Sequence, residues 1–369
     1  MSKLEKLIQE LCPNGVEYKT LSEIAEITRG IRVVRNQLTE QGEYPVYQNS
    51  MTPLGYYEKS NCLANTTFII AAGAAGEIGF SSVEFWAADD CFYFICSPSL
   101  QSRFLYYALL CQQNYILSRV RRASIPRLSR SVIGSIKIPV PPLPVQSEIV
   151  RILDNFAELT AELTAELTAR RKQYEYYRNE LLTVSDNIEY KTLPEISENL
   201  DRQRKPVTKG NREAGEYPYY GASGIVDYVS DYIFDGDYLL VSEDGANLLA
   251  RNTPIAFSIS GKNWVNNHAH VLKFDTAEMQ KYVEIYLNSI DLGKYISGGA
   301  QPKLNQDNLN KISIPVPPFD KVKIIVTILE KFNALCNDLT SGLPAEIEAR
   351  KKQYEYYRDK LLTFKEKMA

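Results

Sequence analysis

The chain has 369 residues, more than twice the length of a typical domain, so at least two packed units are expected. Hydrophobic residues make up 44% of it and charged residues 24%, which excludes wholesale disorder and a fibrous repeat. The formal net charge of -3 excludes a uniformly basic coat but not local basic patches. No apolar run approaches the roughly 20 residues of a membrane helix, and six cysteines in so long a chain predict no disulfide framework. We expect a cytoplasmic protein without a membrane partner.

Four sequence blocks occur twice in the same order, which indicates a tandem duplication. The segments between them, 51–130 and 224–300, share little beyond length and general β character. A constant frame with a variable part predicts two related domains that recognise different targets. Two copies that have simply drifted apart are the alternative. The paired blocks are Val16–Ile24 with Ile188–Ile196, Gly42–Tyr47 with Gly215–Tyr220, Ile136–Pro142 with Ile312–Pro318, and Ala169–Thr183 with Ala349–Thr363.

Each half ends in a predicted long helix. Apolar residues recur at spacings of three and four from Ile149 to Leu181, which is a heptad-like stripe. The second copy should break or kink at Ser341-Gly342-Leu343-Pro344, because proline cannot continue a helix interior. One helix cannot bury a single apolar stripe alone, so the two helices are expected to pair as an antiparallel coiled coil. Block order also predicts that the C-terminal helix lies beside the N-terminal helix.

These features predict an α+β fold with a pseudo-twofold internal repeat, in which two β-rich domains are separated by the two long helices. The expected segments are a first β-rich domain at 1–144, a spacer helix at 145–184, a second β-rich domain at 185–320 and a second spacer helix at 321–369.

The first helix contains AELTAELTAELT, Ala157–Thr168, a tetrapeptide written three times. One copy adds about 6 Å of helix, and a base-pair step of DNA is roughly 3.4 Å. Inserting or deleting one copy would therefore change the separation of two DNA-reading domains by about one or two base pairs. A low-complexity helical spacer without this role is the alternative.

With its duplicated domains and three kinds of motif, the sequence resembles the specificity (S) subunit of a type I restriction-modification system, in the subgroup with TAEL spacer repeats. They are the TAEL copies, the IPxPP exits at Ile138–Pro142 and Ile314–Pro318, and the QYEYYR segments within Arg171–Arg178 and Lys351–Arg358. The resemblance covers essentially the whole chain. It implies a DNA-binding subunit whose two target-recognition domains each read one half of a bipartite, asymmetric target.

The resemblance also implies that chemistry resides on partner subunits. Two modification (M) subunits would supply adenine N6 methylation, and up to two restriction (R) subunits would supply ATP-driven translocation and cleavage. No cofactor is expected in this chain; S-adenosylmethionine, ATP and Mg are expected on the partners.

Candidate DNA contacts cluster in basic and polar stretches at matching positions of the two halves. Arginine suits phosphate and guanine, and glutamine or asparagine suits adenine edges. A solvated helix end and plain turns are the alternatives. The predicted residues are Arg29, Arg32, Arg35, Gln48, Asn49, Ser50, Arg119, Arg121, Arg122, Arg127 and Arg130 in the first half, and Arg202, Arg204, Lys205, Tyr220, Ser223, Gln301, Lys303 and Asn305 in the second.

No catalytic or metal site is predicted. Val316–Phe319 has valine where an adenine methyltransferase needs Asn or Asp before Pro-Pro, and Gly73–Gly79 does not match a phosphate-binding loop. His268 and His270 lack the partners of a zinc site. A coiled-coil scaffold that joins partner proteins without DNA is the competing class. The candidates for M-subunit contact are Tyr174, Tyr177, Tyr354 and Tyr357, for which helix packing is the alternative.

Overall fold

The computed structural model describes residues 2–122, 124–183, 188–298, 301–338 and 340–367. The chain forms two compact units: unit 1 contains Met1–Thr164 and Glu346–Ala369, and unit 2 contains Ala165–Ala345. Each unit combines a strand-rich domain with long helical segments, so the α+β prediction is confirmed. Within the described ranges, no helix is both long and apolar enough to cross a membrane.

Unit 1 is built on a four-stranded antiparallel sheet. Its described strands are β1 (Tyr18–Thr20), β2 (Ala25–Arg29), β3 (Tyr44–Tyr47), β4 (Tyr56–Tyr57), β5 (Thr66–Ile70), β6 (Ile78–Ser81), β7 (Trp86–Ala87), β8 (Cys91–Cys96) and β9 (Lys137–Pro139). The main sheet has the order β2-β8-β5-β6, a smaller mixed sheet has the order β4-β3-β7, and β1 pairs with β9.

Strand β5 is the centre of unit 1 because both of its faces are buried. Ile69 belongs to the main hydrophobic core, whereas Phe68 and Ile70 point into a second cluster on the opposite face. This alternation follows from the two-residue period of a strand. The helices that precede and cover these strands are α1 (Lys3–Leu11), α2 (Leu21–Ile24), α3 (Ser102–Cys111), α4 (Gln113–Ser118) and α5 (Arg130–Gly134).

Unit 2 repeats this plan, although its central sequence differs. Its described strands are β10 (Glu189–Thr192), β11 (Glu198–Asn199), β12 (Ala214–Gly221), β13 (Gly224–Val229), β14 (Phe234–Asp235), β15 (Tyr238–Ser242), β16 (Ala256–Ile259), β17 (Lys262–Val265), β18 (Ala269–Lys273) and β19 (Ser313–Val316). The sheets have the orders β11-β18-β15-β16, β13-β12-β17-β14 and β10-β19. Strand β15 therefore occupies the place of β5. The duplication of the fold extends through the segments where the two sequences share little.

Long helices complete each unit. Helix α6 (Leu143–Leu182) begins directly after the first proline-rich exit. Its fully buried Gln146 donates from Nε2 to the carbonyls of Ser99 and Pro141, both at 2.7 Å, and accepts from the Gln101 amide at 2.9 Å. These bonds compensate the burial of a polar side chain and fix the start of the helix. The later helices are α7 (Leu193–Ile196), α8 (Asn247–Ala250), α9 (Ala277–Ser289), α10 (Gln306–Leu309), α11 (Phe319–Asn337) and α12 (Leu343–Leu361).

The predicted antiparallel pairing of the helices is observed within unit 2. Arg171 Nη2 lies 3.5 Å from the Cys336 carbonyl oxygen, and the ring of Tyr177 lies 5.8 Å from the ring of Phe332. As the residue number rises along α6, the number of its contact residue in α11 falls, so the two helices are antiparallel. Within unit 1, the rings of Phe156 in α6 and Tyr357 in α12 stack at 5.5 Å.

The predicted break of the second helix is confirmed between α11 and α12. The Asp338 carboxylate accepts from the Thr340 amide at 2.7 Å and from both the Thr340 and Ser341 hydroxyls. A Cβ on Gly342 would lie 2.6 Å from the Ala334 carbonyl oxygen, so this turn requires glycine.

Within unit 1, the C-terminal segment lies against the N-terminal segment, as block order predicts. The Val16 amide donates to the Lys365 carbonyl at 2.8 Å, and the Lys367 amide donates to the Val16 carbonyl at 3.0 Å. Gly15, with φ of +96°, makes this approach possible, because a Cβ there would lie 2.5 Å from the Lys365 oxygen.

We predict that Gly15→Ala destabilises unit 1 by about 1–3 kcal/mol, the usual cost of a strained backbone position. The measurement is the midpoint of thermal unfolding. Gly210→Ala is the matched control, because a Cβ there meets no atom within 4 Å. Equal midpoints for the two variants would contradict the packing described here.

Candidate nucleic-acid interface

The basic loop of unit 1, defined as residues 119–130 with 123 outside the described residues, is closed by its own backbone and attached to the end of β5. Arg121 and Arg127 exchange amide-to-carbonyl hydrogen bonds of 2.8 and 3.1 Å. The Leu128 amide donates to the Ala71 carbonyl at 2.8 Å, and the Gly73 amide donates to the Pro126 carbonyl at 3.2 Å. Because these bonds use only the main chain, the arginine side chains remain free to point away from the core.

The glycine-rich turn after β5 brings the predicted polar turn at Gln48, Asn49 and Ser50 close to the basic loop. Gly73 has φ of +84°, and a Cβ on it would lie 2.8 Å from the Asn49 carbonyl oxygen. That oxygen accepts from the Ala74 amide at 2.9 Å. The glycines of this turn therefore permit close packing of two loops.

The arginines at this site line a basic cleft of about 450 Å³ in unit 1. Asp89 and Asp90 also line it, and the Asp89 carbonyl accepts from Arg29 Nε at 2.7 Å. The side chains of the cleft arginines are exposed. Among the described residues, the arginines that form ion pairs with carboxylates all lie outside this cleft, so the cleft arginines lack carboxylate partners. Unpaired guanidinium groups in a concave surface suit an anion such as phosphate. The arginines of the cleft are Arg29, Arg119, Arg121, Arg127 and Arg130.

The second loop, defined as residues 297–305 of unit 2 with 299–300 outside the described residues, has the same backbone bonds. Ser297 and Lys303 exchange amide-to-carbonyl bonds of 2.8 and 2.7 Å. The Leu304 amide donates to the Glu243 carbonyl at 2.7 Å, and the Gly245 amide donates to the Pro302 carbonyl at 3.2 Å. Lys303 therefore occupies the position of Arg127, and Glu243 that of Ala71. The two loops predicted to be equivalent share one frame and differ in their side chains.

Beneath the second loop lies an internal ion-pair network, defined as Asp201, Arg204, Glu243, His270 and Lys303. Arg204 Nη1 lies 2.7 Å from Glu243 Oε2, and Arg204 Nη2 lies 3.3 Å from Asp201 Oδ2. Lys303 Nζ lies 3.1 Å from Glu243 Oε1. Arg204 and Lys303 are thus paired with carboxylates of the same unit.

His270 joins the network through both of its ring nitrogens. Its Nδ1 lies 2.5 Å from Asp201 Oδ2, and its Nε2 lies 2.7 Å from the Leu304 carbonyl oxygen. Both partners are oxygen atoms, so both ring nitrogens are occupied within the protein. The bond to Leu304 also ties the network to the loop.

The acids of the network are held ionised. Burial raises the pKa of Asp201, but the hydrogen bond and charge of His270, helped by the Val271 amide, bring it below its ordinary value. Burial likewise opposes ionisation of Glu243, but the hydrogen bond from Arg204 and the charge of His270 lower its pKa overall.

Asp201, Glu243 and His270 also place potential metal-ligand atoms within 4.8 Å of one another. The set does not fit a metal ion, because both ring nitrogens of His270 are already occupied by oxygens and the Arg204 guanidinium supplies a cation.

The remaining predicted residues divide by exposure. Arg32, Arg35, Asn49, Arg122, Arg202, Lys205, Ser223 and Gln301 are exposed, whereas Gln48, Ser50 and Tyr220 are half-buried.

Two predicted residues have internal roles. Arg204 was expected to face DNA, but its side chain is only 13% exposed because Asp201 and Glu243 hold it within the network. Asn305 caps helix α10 by accepting from the Asn308 amide at 2.9 Å. We leave both residues out of the interface proposed below.

The two tryptophans, which were not among the predicted site residues, fix the basic segments after β2 and β11. Trp86 Nε1 donates to the Ile31 carbonyl at 2.8 Å, and Trp264 Nε1 donates to the Lys205 carbonyl at 2.6 Å. The signal was present, because the only two tryptophans lie 178 positions apart, within the 172–180 offset of the repeat.

The four tyrosines predicted to contact partners each make packing contacts within their own unit. Tyr174 packs against the unit 2 core and Tyr354 against the unit 1 core, and Tyr177 and Tyr357 pack on phenylalanine rings. Their contact with a partner stays a prediction, and Tyr177 is still 40% exposed. The most exposed tyrosines of the two repeated segments are Tyr176, at 60%, and Tyr356, at 61%.

Two loops of different chemistry, built on one backbone frame, define a duplicated recognition protein. Residues 13–170 and 185–349 each match the family described as Type I restriction modification DNA specificity domain. The chain belongs to this family, as a DNA-reading specificity subunit.

Relatives and solved structures agree with this assignment. A putative type I restriction enzyme specificity subunit of Haemophilus influenzae is 32% identical over 98% of each chain. The EcoR124I/EcoR124II specificity subunit of Escherichia coli is 34% identical over 62% of this chain and 63% of that one. The crystal structure of a type I restriction-modification S subunit from M. genitalium shares the fold, with a TM-score of 0.65 and 19% identity over 94% of this chain and 96% of that one.

We predict that unit 2 loses stability in acid through the network. The lowered pKa values of Asp201 and Glu243 mean that their contribution is present above the ordinary values of 3.8 and 4.5 and is lost as pH falls through the lowered values. Asp201→Asn should cost about 3–5 kcal/mol at neutral pH, because it leaves buried cations unpaired, and should weaken this acid dependence.

The measurement is chemical unfolding at a series of pH values. Asp275→Asn, which changes an exposed carboxylate of the same unit, is the control and should behave as the wild type. If Asp201→Asn and the control unfold alike at every pH, the network does not stabilise unit 2.

Proposed function

We propose that each unit of this specificity subunit reads one half of a bipartite, asymmetric DNA target through its loop and the surface around it. The observation that carries the proposal is the shared set of backbone hydrogen bonds beneath two loops of different chemistry. Such a frame lets one fold present different base-reading side chains, since base contacts specify and phosphate contacts position.

In unit 1, we assign arginines of the basic cleft to phosphates and guanine edges. The basic segment after β2 adds Arg32 and Arg35, and the turn at Gln48, Asn49 and Ser50 borders the cleft through Gly73. In unit 2, Gln301 and Lys303 lie on the second loop, Arg202 and Lys205 flank it as phosphate contacts, and Tyr220 and Ser223 belong to the β12–β13 hairpin.

We propose that the TAEL copies set the separation of the two half-sites. All of Ala157–Thr168 is helical and none of it is buried. None of these residues belongs to either main hydrophobic core. A change in copy number would therefore lengthen or shorten α6 without removing core contacts.

The catalytic chemistry is assigned to partners. We propose that two M subunits supply adenine N6 methylation with S-adenosylmethionine, that up to two R subunits supply ATP- and Mg-dependent translocation and cleavage, and that the complex acts in the cytoplasm. The exposed Tyr176 and Tyr356 occupy matching positions on the helices, and exposed tyrosines are well suited to protein interfaces. We assign them to M-subunit contact.

Co-expression with the cognate M subunit and mapping of methylated adenines across the host genome tests the DNA-reading proposal. We expect two short fixed blocks around a fixed number of unspecified bases. Deleting one TAEL copy should shorten that gap by one or two base pairs, because it removes about 6 Å of helix, and should leave both blocks unchanged. A stable complex that methylates no specific motif would favour the protein scaffold instead.

The assembly proposal predicts that Tyr176→Ala/Tyr356→Ala weakens binding of the M subunit about tenfold or more, as expected for buried aromatic anchors. The measurement is titration of the M subunit onto the labelled chain. The matched control, Tyr174→Ala/Tyr354→Ala, removes the packed tyrosines and should mainly lower the thermal midpoint. Unchanged M-subunit binding by the Tyr176/Tyr356 variant would exclude this surface.

A further inference from the structure

The shared backbone frame allows the two loops and the strands beneath them to be compared position by position. Ala71 and Glu243 accept the equivalent bond from the loop, and Arg127 and Lys303 stand at equivalent loop positions. In unit 1, Ile69 of β5 pairs with Phe92 of β8.

The corresponding pair in unit 2 is Val241 with His270, so Phe92 and His270 are matched. Arg29 lies opposite Phe92 in the β2–β8 pair. In unit 2, Asn199 lies opposite Leu272, which brings Asp201 opposite His270.

The matched positions differ in charge and in pairing. Unit 1 has Arg29, Ala71, Phe92 and Arg127, and unit 2 has Asp201, Glu243, His270 and Lys303. In unit 1, both cations are exposed and lack an acidic partner among the described residues. In unit 2, each acid is paired with cations of the network.

A cation contributes to phosphate binding chiefly by releasing the counterions that surround DNA, with a slope of about -0.9 in log K against log salt for each phosphate neutralised. Arg127 is free to make such a contact. Lys303 must exchange Glu243 for the phosphate, so its net contribution is smaller. Arg204 is held by two carboxylates and contributes none.

We propose that the two loops divide DNA binding unequally: the unit 1 loop and its cleft bind the phosphate backbone of one half-site, whereas the unit 2 loop, whose lysine is paired within the protein, reads the other half-site through uncharged polar groups. This inference rests on the proposed DNA-reading function. It adds that the unit 1 loop contributes more nonspecific, salt-sensitive affinity than the unit 2 loop.

The test uses the complex of the full chain with its M subunit, and measures affinity for a fluorescent duplex that lacks the mapped target across a series of NaCl concentrations. Arg127→Gln should reduce the slope of log K against log salt by about 0.9. Lys303→Gln should reduce it by less than half as much. The triple variant Arg119→Gln/Arg121→Gln/Arg127→Gln should reduce it by about 2.7.

Lys6→Gln is the charge-matched control, because it removes one charge, as Arg127→Gln and Lys303→Gln do, and Lys6 is exposed in unit 1 but does not line the cleft. It should leave the slope unchanged. Equal reductions by Arg127→Gln and Lys303→Gln, or a larger one by Lys303→Gln, would overturn the inference.

Glu243→Ala places the unit 1 residue at the matched position of unit 2 and frees Lys303. It should steepen the salt dependence, and adding Lys303→Gln to it should then reduce the slope by about 0.9. A slope that Glu243→Ala leaves unchanged in a folded complex would contradict the proposed neutralisation. If this variant fails to fold, the comparison of Arg127→Gln with Lys303→Gln still tests the inference, because both substitutions change exposed side chains and should leave the fold intact.

The two proposals fail in different ways. A wild-type complex that yields no split methylated motif and binds no DNA removes the DNA-reading function. If the wild-type complex yields a split motif but the matched variants change the salt slope equally, only the unequal division of DNA binding between the two loops is excluded.

Discussion

The backbone hydrogen bond that ties each loop to the end of a buried strand is the constraint on which the recognition surface depends. In unit 1 it joins Leu128 to Ala71, and in unit 2 it joins Leu304 to Glu243. Peptide groups form this bond whatever side chains surround them. The loop is therefore held in place by groups common to both copies, and the residues that face outward are free to differ. A duplicated fold with two specificities follows from this separation of frame and side chain.

The two units use their charges in opposite ways on that frame. In unit 2, charged side chains connect strands β11, β15 and β18 with the loop through Asp201, Glu243 and His270. In unit 1, Ala71 and Phe92 belong to the hydrophobic core and the arginines remain unpaired at the surface. Exposed like charges disfavour the compact state unless an anion approaches. The arginines of unit 1 thus remain available to bind an anion, while part of the charge of unit 2 forms ion pairs that stabilise the unit itself.

Much of this structure is predictable from the sequence because it is local or repeated. Helical periodicity and the Ser341–Pro344 break predicted the helices, and block positions predicted the equivalence of the two loops. The role of Arg204 was not predictable, because it depends on Glu243, which is distant in sequence and adjacent only through the sheet. Likewise, spacing placed tyrosines on both helices, but only packing decides that Tyr176 and Tyr356 face outward while Tyr174 and Tyr354 face the cores.

The most direct test is a structure of the chain bound to its M subunits and to a duplex that carries the mapped target. One backbone frame with two reading surfaces requires residues 119–130 to contact one half-site and residues 297–305 to contact the other, from equivalent positions. It also requires the bonds from Leu128 to Ala71 and from Leu304 to Glu243 to persist in the complex. A complex in which DNA lies on other surfaces and both loops face solvent would contradict it.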